Sequence, residues 1–118
     1  MKPRTAHRVL AASGAALAAT GVGLSAYAAH AAEAAARANL QSAALFALVH
    51  GIALATLSRQ TPHRFGTVAL WMLLIGVFLF SGSLVAAHFF AAPTRLAPTG
   101  GALLIVGWLL YAADALRR

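Results

Sequence analysis

Residues 71–80 read Trp71-Met72-Leu73-Leu74-Ile75-Gly76-Val77-Phe78-Leu79-Phe80, an unbroken apolar run. Working outward, the first charge on either side is Arg64 and Arg95, which leaves residues 65–94 uncharged. About 20 apolar residues rising 1.5 Å each cross a hydrocarbon layer of about 30 Å. This stretch is therefore long enough to span a bilayer, and backbone groups in hydrocarbon have no water to bond, so it should be a helix.

The same measurement on the rest of the chain finds three more uncharged gaps, at 9–32, 38–58 and 96–113. The reading is an all-α integral membrane protein. It is a four-helix up-down-up-down bundle in a single domain, residues 1–118, with spans at about 9–32, 39–58, 66–91 and 98–114. Short connections force neighbouring helices to run antiparallel. Pro62 falls in the second connection, Pro93 and Pro98 bracket the third, and Pro98-Thr99 suits a helix start.

Composition agrees. The 118 residues are 61% hydrophobic and 9% charged, against about 25% charged in soluble domains. The net charge of +7 does not point to nucleic acid, because the basic residues lie in short segments between apolar runs with no aromatic interleaving. They read instead as topology signals and contacts for anionic headgroups. Lys2, Arg4, Arg8, Arg59, Arg64, Arg117 and Arg118 fall on one side, and Arg37 and Arg95 on the other. The basic-rich side should be cytoplasmic, so both termini point inward; in a mitochondrion the same rule would place them in the matrix. Lys2, Arg4 and Arg8 followed by Ala26-Tyr27-Ala28 also resemble a secretory signal, but the apolar stretch is longer than such a core. With no cysteine in the chain, disulfides, iron–sulfur ligation and thiol catalysis are excluded.

Small residues recur at i, i+4 in the first span: Gly14/Ala18, Ala19/Gly23 and Gly21/Ser25. Such spacing lets helices approach closely, which predicts a first helix inside the bundle or at a dimer interface. A weak echo links residues 23–30 and 82–88, both ending Ala-Ala-His.

Polar groups at depth carry any chemistry. His50 lies near mid-depth of the second span, and Ser81-Gly82-Ser83 interrupts the third. His50, Ser81 and Ser83 form the candidate intramembrane polar site. One reading is a proton relay or ligand contact; the favoured one is hydrogen bonding between helices. A Ser–His pair without an orienting acid does not make an acyl-transfer site. His30, Glu33 and His88 are candidate polar residues of the outer interface. They fall short of a four-ligand zinc site, and Glu33 with Arg37 at i, i+4 predicts an ion pair. Asp114 with Arg117 and Arg118 reads as a charge-paired helix end. Trp71, Trp108, Tyr27 and Tyr111 read as interfacial or packing aromatics. No phosphate-binding glycine loop, carboxylate dyad or metal motif occurs.

Three strings resemble a known family. They are Ala26-Tyr27-Ala28-Ala29-His30, Phe80-Ser81-Gly82-Ser83-Leu84, and Leu96-Ala97-Pro98-Thr99-Gly100-Gly101 with Gly107-Trp108-Leu109. Their order and spacing, over about residues 10–113, are similar to the small bacterial membrane proteins called domain of unknown function 423, with eukaryotic relatives called transmembrane protein 256. His50 sits where that family has a His, but the family's preceding polar Gln is replaced within Phe46-Ala47-Leu48-Val49. The resemblance implies four spans, an uncleaved first helix and an inner-membrane location; it implies no activity.

The functional expectation is a non-enzymatic accessory or assembly protein with no catalytic residue, cofactor or metal. Its partners would be the lipid bilayer and either a second copy of itself or another membrane protein, and not nucleic acid. The alternative is a small oligomeric transporter or channel with its polar site around His50.

Overall fold

A computed structural model describes residues 2–30 and 32–117. Within them the chain forms four helices and no strand: α1 (Pro3–His30), α2 (Ala34–Leu57), α3 (Arg64–Phe90) and α4 (Leu96–Arg117). A short 3₁₀ turn, Ser58–Gln60, follows α2. All four helices are long and apolar enough to cross a membrane.

The helices begin before the apolar spans do. α1 begins at Pro3 and α2 at Ala34, so Arg4, Arg8 and Arg37 stand on terminal turns rather than in loops. A long basic side chain at a helix end can reach the interface while its backbone stays helical. Gaps between charges therefore locate the apolar centre of a span and not its ends. α4 begins at Leu96 with Pro98 in its first turn, where a missing N–H costs nothing.

Two close hairpins make the bundle. α1 buries Leu10, Gly14, Leu17, Gly21 and Ala28, a repeat of alternating three and four that keeps one face toward a partner. A Cβ placed on Gly51 of α2 would stand 2.5 Å from both the Gly14 oxygen and the Ala18 nitrogen. One placed on Gly21 would stand 2.8 Å from the Leu48 nitrogen. As α1 advances from Gly14 to Gly21, its partner retreats from Gly51 to Leu48, so the two helices run in opposite directions. α4 repeats the device with buried Gly100, Leu104 and Gly107. A Cβ on Gly100 would lie 2.7 Å from the Gly76 oxygen and 2.5 Å from the Phe80 nitrogen of α3.

Seams of small residues put these backbones in contact. The working spacing is seven, as in Gly14/Gly21 and Gly100/Gly107. Of the i, i+4 pairs, only Gly14/Ala18 meets the partner helix. Gly23 has nothing within 4 Å of an added Cβ, and Ala19 and Ser25 are exposed. α1 is also not enclosed, since 22% of its apolar window is buried against 44% for α2 and α3.

The hairpins join through α2 and α3. Phe46 packs against Phe80 with ring centroids 4.4 Å apart, and the core between the hairpins is leucine-rich, including Leu10, Leu54, Leu70 and Leu73. The outside is apolar as well. Val22, Phe78, Ile105 and Leu109 are each more than half exposed in mid-helix. In water such a girdle would be an aggregation surface; in a bilayer it meets acyl chains.

Candidate functional site

His50 is 6% exposed. The Trp108 indole N–H of α4 donates to His50 Nε2 at 3.0 Å, and His50 Nδ1 lies 2.9 Å from the Phe46 carbonyl oxygen one turn back. An indole nitrogen only donates and a carbonyl only accepts. Nε2 must then be the acceptor and Nδ1 must carry the proton, which assigns a neutral imidazole with both nitrogens committed. The ring lies stacked near Phe46, with centroids 5.7 Å apart, and beside Trp108 at 5.8 Å.

Ser81 is held elsewhere. Its hydroxyl donates to the Ala43 carbonyl of α2 at 2.9 Å. Ala43 precedes His50 by seven residues, about 10 Å along the axis at 1.5 Å per residue. Ser83 is two residues on, about 200° around α3, and its buried hydroxyl has no hydrogen-bond partner among the described residues. The three candidate residues are all buried, but no hydrogen bond joins them to one another. A serine activated by His50 is absent, because the acceptor nitrogen such a base needs is occupied by Trp108.

The outer candidates divide too. His88 Nε2 lies 2.9 Å from the Tyr27 hydroxyl, with the rings edge to face, so the two echoed strings meet at their ends. His30 and Glu33 are exposed. Glu33 does not hold Arg37. The Arg37 guanidinium instead donates to the Ala28 oxygen at 3.2 Å, a carbonyl that the end of α1 leaves without a helical partner, and to the Ala32 oxygen of the connection at 3.3 Å. Among the described residues, no group of three or more metal-ligating side chains converges.

At the opposite end of the bundle the structure adds what spacing did not reveal. Asp114 is 2% exposed, and its carboxylate lies so close to Gly66 that a Cβ there would stand 2.5 Å from Oδ2. Arg117 lies over the Phe65 ring at 4.7 Å, while Arg118 is outside the described residues. His7 Nε2 lies 3.3 Å from the Thr67 hydroxyl, tying the start of α1 to the start of α3.

Together these features define an all-helical protein with four helices able to cross a membrane and with two deep polar side chains, His50 and Ser81, bonded between helices. The chain belongs to the family described as Protein of unknown function (DUF423), which matches residues 24–101. That segment holds His30, Glu33, His50, Ser81, Ser83 and His88, and stops before Trp108. No curated protein and no solved structure matches the chain.

Proposed function

We propose that this chain is a small integral protein of the inner membrane that works by helix–helix contact, as an accessory or assembly partner, and not as an enzyme. The observation that carries this reading is the commitment of His50 and Ser81 to Trp108, Phe46 and Ala43. His50 and Ser81 are used to hold helices together, which leaves helix faces and basic ends to meet other molecules. The partner is a second copy or another membrane protein.

Both termini lie in the cytoplasm in this reading. The basic residues favour it, and the contacts of His7 with Thr67 and of Gly66 with Asp114 support it by gathering the start of α1, the start of α3 and the end of α4 at one end.

The test is photo-crosslinking in native membranes from single sites on exposed faces, such as Val22, Phe78 and Leu109. Discrete adducts confined to one face are expected. Absence of adducts at every face, together with solute or proton flux in proteoliposomes that His50→Ala abolishes, would replace this reading with the transporter.

A further inference from the structure

Beside the start of α1 lies a cavity of about 810 Å³ lined by Arg4, His7, Arg8, Ala11, Ala12 and Arg59. Three arginines from two parts of the chain share it, two from α1 and one from the 3₁₀ turn after α2. All three are exposed. The chain has only two acidic residues. Glu33 is at the other end of the bundle, and Asp114 is buried against Gly66 of α3. Among the described residues no carboxylate pairs with Arg4, Arg8 or Arg59, so the cavity holds concentrated positive charge without an internal counter-ion.

The surface below it has a matching character. On a helix of 3.6 residues per turn, Ala12, Ala15, Ala19, Gly23 and Ala26 share the face of Arg8. All are exposed, and Gly23 has open space where a side chain would be. The arginine cluster therefore opens onto a smooth strip about three to four turns long. On the α2 side, Ile52 is exposed and Ala55 half-buried below Arg59.

We infer that Arg4, Arg8 and Arg59 bind the phosphate of an anionic phospholipid whose acyl chain lies along this strip of α1. The guanidinium fork matches phosphate oxygens in pairs. Basic pockets at the cytoplasmic surface of membrane helices are suited to anionic headgroups, and small exposed side chains let a lipid chain approach the helix closely. His7 lines the same cavity. The inference rests on the membrane placement and orientation proposed above, and adds a ligand class to it.

The experiment titrates the full-length protein in mild detergent with phosphatidylglycerol or phosphatidylcholine and counts bound lipids by native mass spectrometry. Retention of phosphatidylglycerol over phosphatidylcholine is expected. Each of Arg4→Gln, Arg8→Gln and Arg59→Gln should weaken that retention about fivefold, and the triple variant about a hundredfold, from the general worth of a basic side chain at an anionic surface. Arg95→Gln, which removes an exposed charge at the other end, should leave it unchanged. Circular dichroism should show full helicity in every variant, because these side chains are exposed.

Equal retention of the two lipids would overturn the inference, as would a triple variant that binds like the parent or an equal loss in Arg95→Gln. Displacement of the lipid by inorganic phosphate at matched ionic strength would reassign the site to a free phosphate and likewise overturn it. Reporter fusions at both termini check the orientation separately, so failure of the lipid site is distinguishable from failure of the topology.

Discussion

Replacing Gly51 with Ala probes the closest point of the bundle. The added Cβ would stand 2.5 Å from the Gly14 oxygen and 2.5 Å from the Ala18 nitrogen, where ordinary contact begins at 3.4 Å. Both obstacles are backbone atoms, which no rotamer change can move aside. α1 and α2 must therefore separate by about 1 Å, and a gap of that size forfeits a quarter to a half of each dispersion contact it opens. Spread along the seam of Leu10, Gly14, Leu17 and Gly21, the cost is about 2–3 kcal/mol, at the upper part of the usual range for overpacking. Gly23→Ala is the matched control, since an added Cβ there meets nothing within 4 Å. It should leave stability unchanged or raise it by up to about 1 kcal/mol through helix propensity. The assay is unfolding by increasing mole fraction of sodium dodecyl sulfate in mixed micelles, followed by circular dichroism. Equal midpoints for the two variants would refute the argument that these helices meet backbone to backbone.

Trp108→Phe keeps an aromatic ring but removes the indole N–H that donates to His50 Nε2; the same unfolding assay should show a loss of about 1–3 kcal/mol, the cost of a buried acceptor left unmade. Ala91 caps α3 with φ 54° and ψ 29°, a left-handed conformation that costs an L-residue about 1 kcal/mol, so Ala91→Gly should raise stability by roughly that amount. Tyr27→Phe removes the hydroxyl facing His88 and should cost about 1 kcal/mol; its effect should shrink in a His88→Ala background, a coupling that a double-mutant cycle reads directly.

The four helices were legible because a bilayer imposes a length, and the charge-free gaps match it. Their ends were not, because Arg4, Arg8 and Arg37 sit on helical turns from which a flexible side chain reaches polar surroundings. His50 as a residue that ties helices together was legible from its depth. Its partner was not, since Trp108 lies 58 positions away and looks from its own neighbourhood like an interfacial aromatic. The i, i+4 pattern of small residues pointed to close packing, but of its three pairs only Gly14/Ala18 meets α2; in an alanine-rich helix the contacting face is marked by the buried Leu10, Gly14, Leu17 and Gly21 together. Asp114 was read from its neighbours Arg117 and Arg118. Its carboxylate also lies against Gly66 on another helix, where a side chain would collide with it, and no local pattern records that. For the same reason Ser81 and His50 were grouped by depth, although the register of α3 against α2 sets them two turns apart.

Central to this reading is that His50 and Ser81 are spent on holding the bundle together. Nitrogen-15 NMR of the histidine and tryptophan side chains, with the protein in lipid bilayers, tests it most directly. The expected result is a neutral His50 with its proton on Nδ1, Nε2 accepting a hydrogen bond, and a Trp108 indole proton that exchanges slowly with water. A proton on Nε2, or an imidazolium in rapid exchange with water, would contradict it and return His50 to the candidates for a transport pathway.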